Sequence, residues 1–194
     1  MPEYIRPSTR EDELALQEEL RPDVGRWKRH MLGHQGARTW LEWAGGLSTL
    51  QIYIVDGGWP YARINGEPLK LPDVECWQRS DPPLDPSELC RSVTTDDECW
   101  LFSCECSVHM CGGIDRGVLV AHDEGFTIWR CPECPEVPLA VFERRRYRKV
   151  ILAAVKRLLK GPQRGGGLTW AMAVRPRYLQ SALNRARAGQ IWFK

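Results

Sequence analysis

Two periods of apolar residues run along the chain. From residue 48 to 55 the segment STLQIYIV alternates apolar and polar positions, the mark of a strand with one buried face. PYARI at 60–64 continues in the same manner after an Asp56-Gly57-Gly58 turn. Asn65-Gly66 follows, and both residues tolerate positive φ, so a hairpin is expected, with EPLKLP as the returning strand. CWLFSCEC at 99–106 reads as another strand. GVLVAHDEGFTIWR at 117–130 reads as a hairpin with Asp123-Glu124-Gly125 at its tip. The period then changes. From about 142 to 160, Tyr147, Ile151, Ala154, Val155 and Leu158 share one helical face, Arg and Lys cover the other, and Gly161-Pro162 stops the helix. A last helix is predicted over 176–188: Pro176 suits its first turn, Tyr178, Leu179, Ala182 and Leu183 form its apolar face, and Gly189 ends it.

The flanks are less regular. Ser8 and Glu11 fit a capping box for a helix over about 9–20, stopped by Pro22. A second helical stretch over about 23–32 puts Val24, Trp27 and Met31 on one face, and Gly33 ends it. Trp40 and Trp43, in the ambiguous stretch 34–44, are expected to be buried. Residues 72–98 are rich in Asp and Pro and read as loop, with a short helix near Pro86–Val93. Ile191-Trp192-Phe193 forms an apolar tail expected to dock or bind.

These elements predict an α+β fold. One antiparallel sheet is built from the 48–71 hairpins and the 99–130 strands. The amphipathic helix near the C-terminus packs across it, helices flank both ends, and a zinc-ribbon-like cysteine cluster pins the centre. The expected organisation is an N-terminal helical segment (1–45), an α+β core (46–160), and a Gly-rich linker with a basic helix and tail (161–194).

Composition supports a globular chain: 194 residues, 43% hydrophobic and 27% charged. There is no run of about 18 apolar residues, and the acidic, polar start lacks a signal core, so a cytoplasmic protein without a membrane span is expected. Charge is divided unevenly. From Glu143 to Lys194 there are 14 Lys/Arg and one acid, whereas residues 1–142 hold 13 basic and 24 acidic residues. Either a nucleic-acid-facing end or a basic element docked on an acidic body produces such a division.

The eight cysteines are Cys76, Cys90, Cys99, Cys104, Cys106, Cys111, Cys131 and Cys134. In a reducing compartment they are thiols or metal ligands rather than a disulfide frame. Cys104-x-Cys106-x4-Cys111-Gly-Gly is followed by Cys131-Pro-Glu-Cys134, with 19 residues between Cys111 and Cys131. Zn²⁺ prefers four N/S ligands in a tetrahedron, and two close pairs on tight turns supply them. The intervening hairpin would bring the pairs together. The expected structural zinc site is Cys106, Cys111, Cys131 and Cys134, with Cys104 and His109 as alternates. A closed four-thiolate site has no open position for catalysis. The competing reading is a set of buried thiols packed as small hydrophobes.

One stretch, roughly residues 48–160, resembles an uncharacterised bacterial family common in actinobacteria and other high-GC genomes. The matching residues are Leu101-Phe102-Ser103-Cys104-Glu105-Cys106, Cys111-Gly112-Gly113-Ile114, Val118-Leu119-Val120, His122, Ile128-Trp129, and Val141-Phe142-Glu143-Arg144-Arg145-Arg146-Tyr147. Upstream, Ile52-Tyr53-Ile54 through Asn65-Gly66-Glu67-Pro68-Leu69 looks like the family's opening hairpin. Ser107 stands where the family usually has Gly, and Cys131 and Cys134 fall outside its usual pattern. The resemblance implies a fold and no activity. Tyr4-Ile5-Arg6-Pro7-Ser8-Thr9-x-x-Asp12 is similar to the first strand and helix of GNAT-type acetyltransferases, without a downstream Gly-rich pyrophosphate loop.

No HExxH, GxSxG or Walker A motif is present. Residues 161–167 read as a linker. Cys131-x-x-Cys134 lacks the following helix that redox pairs use. His122 is expected on a strand surface, His30 and His34 carry no evident third ligand, and Trp59 and Trp129 are expected to be buried. Arg144, Arg145, Arg148, Lys149, Lys156 and Arg157 are the candidate phosphate or partner contacts. The leading expectation is a non-enzymatic, zinc-stabilised interaction protein that meets a protein or nucleic acid through its basic C-terminal region. The alternative is an enzyme with a reactive cysteine or acetyltransferase-like activity.

Overall fold

A computed structural model describes residues 41–55, 59–71, 82–103, 116–123, 125–133, 138–160 and 176–190. The helices expected over 9–20 and 23–32, Trp40, His30, His34, the 56–58 turn, the 161–167 linker and the apolar tail lie outside the described residues.

The alternating segment forms β1 (Leu50–Ile54), which pairs antiparallel with β2 (Pro60–Ile64). Leu50, Ile52 and Ala62 are buried and Gln51 and Arg63 are exposed, as alternation requires. Asn65 (φ 55°) and Gly66 (φ 86°) make the expected turn, and the Asn65 carboxamide also accepts from the Thr49 N–H at 2.8 Å. The returning strand β3 is only Glu67–Pro68. One further backbone bond, from the Leu69 N–H to the Ala62 carbonyl at 3.0 Å, continues the pairing past Pro68.

Helix α1 (Pro86–Ser92) begins at Asp85, whose carboxylate accepts from the Ser87 and Glu88 N–H groups at 2.7 and 3.1 Å. The strands β4 (Asp97–Cys99), β5 (Val118–Asp123), β6 (Phe126–Arg130) and β7 (Pro138–Glu143) follow. Then come α2 (Arg144–Lys160) and α3 (Pro176–Ala188).

The fold is α+β as expected, but the strands make two antiparallel sheets rather than one: β1-β2-β3 and β4-β5-β6-β7. Strand β7 decides this. Its apolar run PLAVFE carries no alternation, and the sequence reading assigned its last residues to the helix. In the structure β7 takes the position beside β6 that a joined sheet would need. A Ser48 N–H donated to the Val141 carbonyl at 2.7 Å links the two sheets. At the far edge, α1 covers β4, with Arg91 Nη1 donating to the Glu98 carbonyl at 2.9 Å. The strand expected over 99–106 does not form over its described part: β4 ends at Cys99, where that strand was to begin, and residues 104–106 lie outside the described residues. The chain turns after Cys99, and Phe102 makes only an isolated bridge to Leu84.

The core lies between the sheets and the helices. Trp129 sits edge-on to Phe102, Phe142 and Tyr147, and Phe142 stacks on Tyr147. All five predicted apolar positions of α2 are buried. Helix α3 packs Leu179, Ala182, Leu183 and Ala186 into the same core. Tyr178, expected on that face, is 48% exposed, because the buried stripe follows an i, i+3, i+4, i+7 pattern starting at Leu179. Trp43 is 52% exposed against expectation. The turn that carries it points Leu41 and Ala44 instead at Ile128 and Val141, on the second face of the four-stranded sheet. Trp59 and Trp129 are buried as expected. No helix among the described residues is long and apolar enough to cross a membrane.

Candidate nucleic-acid interface

Burying one stripe of α2 forces its cations outward. Buried Tyr147, Ile151, Ala154, Val155 and Leu158 set the inner face. Arg145, Lys149, Lys156 and Lys160 then fall along the opposite side, and all four are exposed. At 1.5 Å rise per residue this line of charge runs about 22 Å. Neither α2 nor α3 contains an Asp or Glu. Among the described residues, none of these four side chains has a hydrogen bond or ion pair.

The six predicted cations divide into two roles. Arg144, Arg145, Lys149 and Lys156 are exposed, with no described partner. Arg148, half-buried, donates to the Arg187 carbonyl of α3 at 2.8 Å, and Arg157 donates to the Ile52 carbonyl of β1 at 3.1 Å. These two tie α2 to its neighbours. Lys160 belongs to the outward line and was missed, although its spacing from Lys149 and Lys156 carried the signal.

The first turn of α2 holds Arg144, Arg145 and Arg146 and no acid. Cations at the positive end of a helix dipole each cost about 0.3–1 kcal/mol. Glu143 relieves one of them through Arg146 at 2.9 Å.

The sheet also arranges the cysteine-bearing end. Cys99 pairs with Val118 across β4 and β5, and Leu119 pairs with Arg130 across β5 and β6. Cys131 follows Arg130 directly, so Cys99 and Cys131 lie at the same end of the sheet, on either side of β5. Ser103 and Arg116 bound residues 104–115, which lie outside the described residues. Arg116 grips Glu98 through two bonds of 3.0 and 3.2 Å, and the Gly117 N–H donates to the same carboxylate at 2.8 Å. Of the predicted zinc ligands only Cys131 is described; Cys104, Cys106, His109, Cys111 and Cys134 lie outside the described residues. Cys131 is 1% exposed and packs in the main core. No group of three or more metal-ligating side chains occurs among the described residues.

Cys90, Cys99 and Cys131 are buried thiols that form no disulfide among the described residues. Burial, reinforced by Asp85 and opposed by Arg187, pushes the Cys90 thiol up to about 12. That direction is the reverse of what a nucleophile needs. His122 was expected at the surface but is buried, with Nδ1 3.0 Å from Thr127 Oγ1 and its backbone N–H on Asp96 Oδ1 at 2.6 Å. It sits opposite Thr127 on the face of the β5–β6 hairpin that buries Val118, Val120 and Trp129.

No family model matches the chain, and neither the curated proteins nor the solved structures contain a match.

Proposed function

We propose that this chain is a binding module whose outward α2 face engages the phosphate backbone of a nucleic acid. The observation that carries the reading is the exposed line Arg145, Lys149, Lys156 and Lys160, without a partner among the described residues, on a helix without a single acid. A helix docked on an acidic body of the same chain would pair such cations internally, and these have no described carboxylate partner. Phosphate contacts of this kind position a protein on nucleic acid without reading sequence.

Cys106, Cys111, Cys131 and Cys134 would hold a structural zinc ion within this module. What supports that reading is the spacing of the two cysteine pairs, together with the register that puts Cys99 and Cys131 at one end of the four-stranded sheet. The enzyme alternative has less support, since the three described thiols are all shielded from solvent. Kinship with the uncharacterised bacterial family is part of the proposal for the fold and contributes nothing to the activity.

The test is the salt dependence of binding. The Arg145→Gln/Lys149→Gln/Lys156→Gln/Lys160→Gln variant changes exposed positions only and should stay folded. For a duplex probe, the slope of log affinity against log salt should fall by about 3–4 if all four cations displace counterions. An affinity that ignores salt, or a variant that binds like wild type, would overturn the proposal.

A further inference from the structure

The outward stripe of α2 is broken at its middle. In order along it, the exposed residues are Arg145, Lys149, Ala153, Lys156 and Lys160. At 3.6 residues per turn all five fall within about 80° of the helix circumference. Ala153, the uncharged member, divides the four cations into two pairs. Within each pair the residues are about 6 Å apart along the axis, and the midpoints of the two pairs are about 16 Å apart. Between the pairs, residues 150–155 read VILAAV, so this stretch carries no side chain that can donate or accept a hydrogen bond.

We infer that α2 lies across the major groove of B-form double-stranded DNA, with one cation pair on the phosphates of each wall. The inference rests on the phosphate reading of α2 and adds the form and strandedness of the ligand. The B-form major groove is about 12 Å wide, which puts the phosphate charges of its two walls about 16–18 Å apart; the minor groove, about 6 Å wide, puts them about 10–12 Å apart. The pair spacing matches the first. Flexible Lys and Arg stems absorb the tilt of the helix over the groove. A single strand can bend a phosphate to any point of the stripe, so it gains nothing from the gap. The wide groove of an A-form RNA duplex is its shallow minor groove, which displays 2′-hydroxyls and base edges near the surface. VILAAV laid over those groups would strip their water and offer no partner. The B-form major groove is about 8.5 Å deep, so a helix resting on its walls leaves the base edges hydrated beneath it.

The experiment measures fluorescence anisotropy of the full chain with three labelled probes of about 20 nucleotides per strand: a DNA duplex, an RNA duplex of the same sequence and a thymidine oligomer. Wild type should bind the DNA duplex about tenfold or more tighter than either other probe. Lys149→Ala/Ala153→Lys and Lys156→Ala/Ala153→Lys each move one cation into the gap. Both keep the net charge, use residues of high helix propensity and change exposed positions only, so both should stay folded. Each takes one charge off a wall. Affinity for the DNA duplex should fall about tenfold and its salt slope by about 0.9, with single-strand binding unchanged. Lys149→Arg/Lys156→Arg keeps both pairs and should bind like wild type. Swap variants that bind the DNA duplex like wild type, or that lose single-strand binding equally, overturn the inference. So does a wild type that favours the RNA duplex or the single strand. In any of these cases, salt-dependent binding that is lost in the quadruple glutamine variant leaves the phosphate reading standing. If wild type binds no probe at low salt, both fall.

Discussion

The hydroxyls of Tyr147 in α2 and Ser92 in α1 lie 2.6 Å apart in the core, 55 residues apart in sequence. The same phenol accepts from Trp129 Nε1 at 3.0 Å. One oxygen therefore links α1, α2 and β6 at the centre of the aromatic cluster. Tyr147→Phe should lower stability by about 1–3 kcal/mol, because the Trp129 N–H is left buried without its acceptor. Thermal denaturation measures this. Combining it with Ser92→Ala should cost less than the sum of the two single changes.

Glu88→Gln should be more damaging. Glu88 Oε2 accepts from Arg91 Nη1 at 3.0 Å and from the Trp100 N–H at 3.1 Å, and both charged side chains are buried. Arg91 also pairs with Asp97. Burial opposes its charge, yet Cys99, Glu88 and Asp97 together hold the guanidinium above its ordinary pKa. Breaking a buried pair from one side costs about 3–5 kcal/mol, readable as a drop in denaturant midpoint.

Gly117→Ala should loosen the second sheet. A Cβ there would stand 2.7 Å from the Cys99 carbonyl oxygen and 2.8 Å from Glu98 Cγ. The backbone contact cannot rotate away, so β4 must shift off β5, at a cost of about 1–3 kcal/mol. Hydrogen exchange should show the loss first in the β4 and β5 amides.

Stability should fall on the alkaline side. The Cys90 thiol rises from 9.0 to about 12 on folding, and burial raises the Tyr147 phenol as well. Between those two Cys90 values the unfolded chain has lost a proton that the folded chain keeps, so the unfolding free energy decreases as pH rises. The slope is about 1.4 kcal/mol per pH unit for one group. Denaturant titrations should be flat for this thiol below about pH 8 and decline above 9, less steeply in Cys90→Ala.

Elemental mass spectrometry on protein purified without a His tag should find about one zinc per chain. Cys131→Ser/Cys134→Ser should abolish it. Metal-free wild type would remove zinc from the proposed function and leave Cys131 a core thiol.

Much of the local structure was legible because single residues dictate it. Asn65-Gly66 turns where positive φ is tolerated, and the 3.6-residue period selects the buried positions of α2. The outward line of cations follows from that same period, so most of this face could be read before any coordinates were known. Tertiary structure alone decided the rest. β7 reads as an ambiguous apolar run until β6 offers it a hydrogen-bonding edge, and that pairing splits one expected sheet into two. Burial of His122 and exposure of Trp43 depend on which face of a sheet or turn is covered, and alternation along one strand does not contain that information. The division of the arginines is of the same kind. Arg148 and Arg157 become ties rather than free charges only because α3 and β1 place backbone carbonyls within their reach, and those contacts are made across 39 and 105 residues of sequence.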